Sequence, residues 1–271
     1  MDDSEHGLLA VDGLLLDVDG VLHVGWQAIP GAAVALATLA RAGVPYRLLT
    51  NTTTLSRASL GTRLRRIGLP IADELLLTAP LATAAYLRRH HPDGRCYLIA
   101  IGNVADDLQA AGVTLLADRD DAAAEVVVIG GAEADLTYER MNRAFRLLLG
   151  GASLVAMHRN RAWRTEAGMT LDSGPFVTAL EEAAGVRATT IGKPAPAFFQ
   201  QGLQLLDLPA KRVAMVGDDA LNDLAPARQL GMRTVLVRTG KPVGEVEMAH
   251  ADRVLDSIAR LPELVGRERG C

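Results

Sequence analysis

Short apolar runs alternate with helix-like segments along most of the chain. Uninterrupted apolar runs of this length are typical of parallel strands that are buried on both faces. The predicted strands are LLLDVD from Leu14, PYRLLT from Pro45, CYLIAIG from Cys96, EVVVIGG from Glu125, SLVAMH from Ser153, ATTIG from Ala188, RVAMVG from Arg212 and RTVLV from Arg233.

The segments between these runs carry the signals of helices. One helix begins near Pro30 and ends at Gly43, and another is capped by Ser56 and ends at Gly68. Pro is favoured at a helix start, Ser at an N-cap and Gly just past the end. Longer helical segments are TYERMNRAFRLLL from Thr137 and PAFFQQGLQLL from Pro196. Strands that alternate with helices predict an α/β fold, with parallel sheets covered by helices on both faces.

Polar side chains stand at the carboxyl ends of several predicted strands, where open α/β sheets bind their ligands. These residues are Asp17 and Asp19; Thr50 and Asn51; Lys193; and Asp218, Asp219 and Asp223. They lie near the two ends of the chain, whereas the middle has its own strands and helices but few such residues. We therefore predict a doubly wound core from residues 1–79 and 189–271, with an inserted α/β cap domain at 80–188.

The acidic residues of this set indicate a metal site. Asp17 and Asp19 are two apart on a chain predicted to be extended, so both carboxylates are expected on the same side. Gly20 follows and allows the main chain to turn sharply and approach a ligand. Several carboxylates around one point repel each other unless a cation neutralises them, and an all-oxygen set suits Mg²⁺.

The other strand-end residues supply what a phosphoryl group requires. Thr50 offers a hydroxyl, Asn51 an amide donor and Lys193 a compact positive charge. An aspartate nucleophile that forms an aspartyl-phosphate divides hydrolysis into two easier steps. The set therefore predicts phosphoryl transfer.

Four segments resemble the four motifs of the haloacid dehalogenase (HAD) superfamily. They are DVDGVLHVG at Asp17, LLTNTTT from Leu48, IGKPAP around Lys193 and VGDDALNDLAPARQLGM from Val216. MNRAFRLLLGGASLVAMH and LDSGPFVTALEEAAGVRATTIGKP resemble the group with a large cap between the second and third motifs, class IIA. The resemblance implies a capped phosphatase. One departure is Val21, where many members have Thr.

The resemblance also implies the roles of the site residues. Asp17 would be the nucleophile and Asp19 the general acid/base. Mg²⁺ would be held by Asp17, the main-chain carbonyl of Asp19, and Asp218, with support from Asp219 and Asp223. The phosphoryl group would be bound by Thr50, Asn51, Lys193 and Gly20. The substrate would be a small phosphorylated metabolite: a phosphomonoester, a phosphoramidate or a pyrophosphate. Relatives further imply a homodimer through the cap.

The cap segment HRNRAWR concentrates positive charge and aromatic surface just after a predicted strand. Its residues His158, Arg159 and Arg161 are candidates for contacting an anionic substrate as the cap closes. A solvated basic loop explains the same pattern equally well.

Composition and charge narrow the partners. The 271-residue chain has a formal net charge of -4 and no block of Lys and Arg, which disfavours nucleic-acid binding. No apolar run is long enough to cross a bilayer, and the acidic start MDDSEHG is unlike a signal peptide. Two distant cysteines, Cys96 and Cys271, give no disulfide framework. We expect a cytoplasmic protein that does not bind membranes.

Three alternatives remain open on the sequence. A phosphotransferase or mutase would pass the phosphoryl group to another acceptor. A phosphoaspartate receiver domain also groups acidic residues, a Thr and a Lys on an α/β sheet, but the large insertion and the chain length argue against it. A non-catalytic scaffold could retain the fold, since fold alone does not prove activity.

Overall fold

The computed structural model describes residues 9–117, 122–131, 133–165 and 168–265, so Cys271 lies outside the described residues. The chain divides into two compact units. The first unit consists of Met1–Thr50, Gly61–Leu77 and Pro196–Cys271, and the second of Asn51–Leu60 and Thr78–Ala195.

Strands and helices alternate along the described residues. The strands are β1 (Gly13–Asp17), β2 (His23–Val24), β3 (Gln27–Ala28), β4 (Tyr46–Thr50), β5 (Leu76–Thr78), β6 (Arg95–Ile99), β7 (Thr114–Leu115), β8 (Val126–Ile129), β9 (Ser153–Ala156), β10 (Ala162–Thr165), β11 (Gly168–Leu171), β12 (Thr189–Thr190), β13 (Val213–Gly217), β14 (Arg233–Val237) and β15 (Arg253–Leu255). The helices are α1 (Ala32–Arg41), α2 (Arg57–Arg66), α3 (Ala79–His90), α4 (Val104–Ala110), α5 (Tyr138–Leu149), α6 (Ser173–Ala184), α7 (Pro196–Leu206), α8 (Ala225–Gln229), α9 (Glu245–Met248) and α10 (Leu261–Leu264).

The first unit is built on a sheet whose described strands have the order β15-β14-β13-β1-β4-β5. The pairings of β1 with β13 and β4, of β13 with β14 and of β14 with β15 are parallel. Every residue of β1 is buried, as the apolar run from Leu14 to Leu16 predicts for a central strand. The chain runs outward from β1 through β4 and β5, and later returns beside β1 as β13 before continuing to β14 and β15.

This return defines a topological switch point between β1 and β13. Open α/β sheets bind ligands in the crevice outside the carboxyl ends of the strands at such a point. Because Leu16 is in register with Val216, the residues that end or follow the two strands, Asp17 and Asp218, lie at the same edge of the sheet. A short hairpin of β2 and β3 follows β1 in the chain.

The second unit has its own sheet, of described order β12-β9-β8-β6-β7, and all four pairings are parallel. Its core is a cluster of buried aliphatic side chains around Tyr97, with contributions from β6, β8, β9, α5 and α6. β10 and β11 form an antiparallel hairpin, on which Met169 and Leu171 are exposed.

The α/β fold class predicted from the sequence is confirmed, and each predicted strand coincides with an observed one. One local expectation is wrong. β1 ends at Asp17 rather than continuing to Asp19, because the chain turns at once: the N–H of Leu22 bonds to the carbonyl of Val18 at 2.9 Å, and that of Gly20 to the carbonyl of His23 at 2.8 Å. Strand alternation therefore does not relate the two carboxylates. Within the described part of the chain, no helix is long and apolar enough to cross a membrane.

Candidate active site

Three buried carboxylates meet at the switch point of the first unit. Asp17, Asp218 and Asp223 each offer an oxygen, and these oxygens all lie within 4.8 Å of one another. All three residues are buried, and Asp223 completely so. Grouped negative charges out of water are costly unless a cation or protons compensate them. A set of carboxylate oxygens at this spacing fits a hard divalent cation.

The local chain geometry brings these carboxylates together. Asp17 is the last residue of β1, and Asp218 directly follows β13. Asp223 lies in the helical turn 220–224, from which its carboxylate reaches back to the main chain of Gly217. A Cβ at Gly217 would stand 2.4 Å from Asp223 Oδ2, so only a glycine there admits the third carboxylate.

Asp219 is turned away from this cluster and organises the next turn. Its Oδ1 accepts hydrogen bonds from the N–H groups of Leu221 and Asn222, each at 3.0 Å, and the Lys241 ammonium pairs with its Oδ2. Burial would raise the pKa of Asp219, but Lys241 and the Asn222 hydrogen bonds outweigh it and lower that pKa below its ordinary value. Of the two adjacent aspartates, Asp218 therefore belongs to the cluster and Asp219 to its support.

A further loop, after β14, closes against the same edge. The Thr239 hydroxyl donates to the carbonyl of Gly20 at 2.5 Å, and the N–H of Lys241 donates to Asp218 Oδ2 at 2.9 Å. Between them, a Cβ at Gly240 would lie 2.0 Å from Asp218 Oδ2 and 2.7 Å from Gly20 Cα. Gly20 itself has φ +82°, in the left-handed region that favours glycine. The loop therefore fixes both Asp218 and the turn after β1.

The sequence pattern did not identify residues 239–241 as part of the site. The predicted strand RTVLV ends at Val237, before these polar residues. The signal was nevertheless present, because TGK lies one residue beyond that strand, near the same carboxyl end at which Asp17 and Asp218 lie in their strands.

Asp19 lies apart from the three-carboxylate cluster. Its side chain is 61% exposed, its Oδ1 is 3.5 Å from His23 Nε2, and the Thr50 hydroxyl donates to its Oδ2 at 3.5 Å. Thr50 is fully buried at the end of β4. The Asp19 carboxylate is therefore open to solvent, unlike that of the buried Asp17.

His23 is held beside Asp19 by an aromatic stack. Its ring lies on that of Trp26, with centroids 4.7 Å apart, and the Arg63 guanidinium lies 3.6 Å from the Trp26 ring centroid. Burial lowers the pKa of His23 below its ordinary value, although Asp19 opposes the shift. The lowered pKa favours the neutral imidazole beside Asp19.

Asn51 and Lys193 are joined within the second unit. Asn51 Oδ1 accepts from the N–H of Lys193, and Asn51 Nδ2 donates to the carbonyl of Lys193, both at 2.9 Å. Lys193 is buried, and the peptide bond to Pro194 is cis. Both residues come from strand ends, Asn51 directly after β4 and Lys193 shortly after β12.

His158 is buried in the second unit rather than exposed. Its Nδ1 accepts from the N–H of Asn160 at 3.3 Å, so Nε2 carries the proton and donates to Thr53 Oγ1 at 3.0 Å. Thr53 Oγ1 also accepts from the N–H of Gly131 at 2.8 Å. Burial lowers the pKa of His158, and the Asp172 carboxylate opposes the shift without reversing it. The neutral imidazole thus ties the segment after β9 to the segment after β4.

The two arginines of the same segment differ in their surroundings. Arg159 donates to both carboxylate oxygens of Glu181, at 2.9 and 2.7 Å, and to Thr178 Oγ1 at 3.1 Å. Glu181 is buried, so Arg159 is held in place by a bidentate, charge-assisted pair of hydrogen bonds. Arg161 is exposed, as is nearby Trp163 on β10.

Residues 14–114 match the family model of the haloacid dehalogenase-like hydrolases, and residues 190–261 match that of the HAD-hydrolase-like proteins. The chain belongs to the haloacid dehalogenase-like hydrolase family. Haloacid dehalogenase-like hydrolase domain-containing protein 2 from Homo sapiens is 37% identical over 232 residues, 86% of each chain. Phospholysine phosphohistidine inorganic pyrophosphate phosphatase from Homo sapiens is 34% identical over 267 residues, 95% of each chain. Family membership removes the receiver-domain alternative.

Solved structures agree with this assignment. A p-nitrophenyl phosphatase from Archaeoglobus fulgidus superposes with a TM-score of 0.86 at 29% identity, covering 95% of this chain and 100% of that one. NagD from E. coli K-12 superposes with a TM-score of 0.81 at 25% identity, covering 93% and 98%. The predicted HAD class IIA resemblance is confirmed, and by family this chain is an HAD-type phosphatase. The expected homodimer and cytoplasmic location stay predictions.

Proposed function

We propose that this protein is a magnesium-dependent phosphatase that hydrolyses a small phosphorylated metabolite through an aspartyl-phosphate on Asp17. The observation that carries the proposal is the cluster of Asp17, Asp218 and Asp223 at the switch point of a doubly wound sheet. Residues 1–79 and 189–271 form the catalytic core in this proposal, and residues 80–188 form the cap that selects the substrate.

We infer that the cation is Mg²⁺, since the cluster supplies only carboxylate oxygens, which are ligands that Mg²⁺ prefers. Asp17, Asp218 and the main-chain carbonyl of Asp19 would hold it, and Asp223 stands close enough to bind it or its water. Asp219, which pairs with Lys241, acts by supporting the turn that carries Asp223. Bound Mg²⁺ supplies neutralisation of the carboxylates and polarisation of a phosphoryl oxygen.

The reaction assigns two tasks to two aspartates. Asp17 attacks the phosphorus atom, and Asp19 gives a proton to the leaving oxygen. Asp19 then takes a proton from water, which attacks the aspartyl-phosphate and releases phosphate. The exposed position of Asp19 outside the cluster supports this division. Thr50, the Gly20 main chain and Lys193 bind the phosphoryl oxygens and stabilise their charge.

The cap segment from His158 to Arg161 is proposed to face the anionic part of the substrate. His158 and Arg159 hold the segment through Thr53 and Glu181, which supports an indirect role for them. Arg161 is exposed and is the member whose charge is available to a substrate.

Phosphate release from p-nitrophenyl phosphate, with Mg²⁺ or with EDTA, tests the proposal. We expect turnover with Mg²⁺ and a loss of at least about 100-fold with EDTA, because a bound cation supplies several kcal/mol of charge stabilisation. Adding Mg²⁺ in excess should restore the activity. Full activity in EDTA would contradict the metal requirement. A folded protein that is silent on this substrate and on a panel of phosphorylated metabolites would favour the transferase or the scaffold.

Gly240→Ala is expected to weaken Mg²⁺ binding by about 10- to 100-fold, the usual cost of disturbing residues behind metal ligands. The added Cβ would collide with Asp218 Oδ2 and Gly20 Cα, so Asp218 must move. The measurement is the Mg²⁺ dissociation constant by isothermal titration calorimetry, without substrate.

Gly244→Ala is the matched control in the same loop. Gly244 has φ -112°, and its Cβ would meet only Glu247 Oε2, at 3.0 Å, an end of a flexible exposed side chain. Mg²⁺ affinity in this variant should stay within about twofold of wild type, since surface changes away from a site have small effects. Equal affinities in both glycine variants would show that residues 239–241 do not shape the site.

A further inference from the structure

The carboxamide of Asn51 is committed to the main chain of a single residue. Asn51 Oδ1 accepts a hydrogen bond from the N–H of Lys193, and Asn51 Nδ2 donates one to the carbonyl of Lys193, each at 2.9 Å. A residue presents its N–H and C=O to one partner in this way when neighbouring antiparallel strands exchange two hydrogen bonds. The Asn51 carboxamide therefore makes the pair of hydrogen bonds with Lys193 that a residue of a neighbouring antiparallel strand would make.

The hydrogen bonds to Asn51 continue the parallel ladder between β12 and β9 at the point where that ladder ends. Beyond β12, the N–H of Ile191 bonds to the carbonyl of Ala156 at 3.0 Å, and that of Gly192 to the carbonyl of Met157 at 2.8 Å. The next N–H along the chain, that of Lys193, goes to Asn51. The segment that carries Lys193 is thus anchored on β9 as far as Gly192 and on Asn51 from there.

The sequence around Lys193 is adapted to this contact. A Cβ at Gly192 would lie 2.5 Å from Asn51 Oδ1, so the glycine lets the carboxamide approach. On the other side, Pro194 has no N–H to offer to the ladder. Lysine has a flexible four-carbon stem, so its ammonium is placed only as well as its main chain and its surroundings are fixed.

We propose that Asn51 is a positioning residue, which acts on the phosphoryl group through Lys193 rather than by binding it with its own side chain. The proposal rests on the proposed function, in which Lys193 binds the phosphoryl oxygens. It separates two neighbouring residues that the sequence grouped together: Thr50 acts with its hydroxyl, and Asn51 acts by fixing a residue 142 positions away in the chain.

A double-mutant cycle tests this inference, with wild type, Asn51→Ala, Lys193→Ala and the double variant. kcat/KM for p-nitrophenyl phosphate is measured with Mg²⁺, and inorganic phosphate binding is measured by calorimetry on the same proteins. In the presence of Lys193, Asn51→Ala should lower kcat/KM by about 100-fold, as a misplacement of about 1 Å does. With Lys193→Ala, the same change should cost less than about threefold, because an effect that acts through a partner disappears with it.

Asn51→Leu repeats the cycle at similar side-chain volume and without added charge, in case Asn51→Ala folds poorly. Its side chain can neither accept from the N–H of Lys193 nor donate to its carbonyl. It too should have little effect on kcat/KM when Lys193 is replaced, whereas a residue that bound the phosphoryl group itself would cost activity in both backgrounds.

Asn103→Ala is the control for the removal of a hydrogen-bonded asparagine from the second unit. Asn103 accepts from the N–H of Ser56 at 2.9 Å and donates to two serine hydroxyls, with no contact to Lys193. Its loss should lower the melting temperature but leave kcat/KM within about twofold of wild type.

The outcomes distinguish the inference from the function. An active wild type with equal losses from Asn51→Ala in both backgrounds would overturn the positioning role and leave the phosphatase intact. A wild type that neither hydrolyses p-nitrophenyl phosphate nor binds phosphate would overturn the proposed function, and the inference with it.

Discussion

Asp17→Asn is expected to abolish phosphatase turnover, with a fall in kcat of about 10⁴-fold or more, as for other lost nucleophiles. An amide does not attack phosphorus at neutral pH, and no other carboxylate ends β1. The fold should survive, because the side chains have the same shape and Oδ1 can still accept from the N–H of Val18. Removing one of three clustered negative charges should also relieve repulsion, so the melting temperature in EDTA should not fall.

The measurement combines turnover with trapping of the phosphoenzyme. Wild type that is quenched in acid during turnover of a ³²P-labelled substrate should retain label on the protein, and Asp17→Asn should retain none. Asp12→Asn is the control at the opposite end of the same strand, where Asp12 forms an exposed pair with Arg212. It should leave kcat unchanged. Turnover that persists in purified Asp17→Asn would rule out the mechanism.

Asp19→Asn is expected to have the second largest effect, a loss of about 10²- to 10⁴-fold, the range for a missing general acid/base. The size of this loss of activity should depend on the leaving group of the substrate. Nitrophenolate leaves without a proton, whereas an alkoxide requires one, so an alkyl phosphate should lose more activity than p-nitrophenyl phosphate. The 61% exposure of the Asp19 side chain supports this role, because an exposed carboxylate is accessible to a substrate and to water.

Two comparisons decide whether the activity lost in Asp19→Asn reflects a missing proton transfer or a change in local structure. Asp256→Asn changes another exposed aspartate of the first unit, 91% exposed and 3.8 Å from Arg238, and should have no effect on either substrate. The comparison uses kcat/KM, which reports the transfer to Asp17 and not the later hydrolysis of the aspartyl-phosphate. Equal losses of kcat/KM on both substrates in Asp19→Asn would contradict the general-acid role and indicate that the carboxylate only shapes the turn after β1.

Much of the fold could be predicted because each strand and helix is specified by its own short stretch of sequence. Apolar runs such as RVAMVG specify strands that are buried on both faces, and the parallel order places their polar ends at one edge. Asp17 and Asp218 could be selected on that basis, since each ends or follows a strand beside the switch point. The exposed hairpin β10–β11 left no comparable signal, because Met169 and Leu171 face solvent and do not form a buried run.

The finer arrangement of the site depended on contacts that sequence spacing does not encode. Asp219 and Asp223 looked equivalent, yet the missing side chain of Gly217 admits Asp223 to the cluster, and Lys241 holds Asp219 outside it. The early end of β1 follows from hydrogen bonds within the next turn, which an apolar run cannot reveal. Asn51 was grouped with phosphate ligands by residue type, whereas its partner, Lys193, is set by tertiary structure.

The loop Thr239–Lys241 also bears on how fragments and truncated sequences of this kind should be judged. A chain cut after Met232 would still contain all four motif segments and would look complete in a search for them. It would lack the hydroxyl that binds the Gly20 carbonyl, the N–H that holds Asp218 and the ammonium that pairs with Asp219. Such a gene product would have every catalytic residue and an unfinished catalytic site.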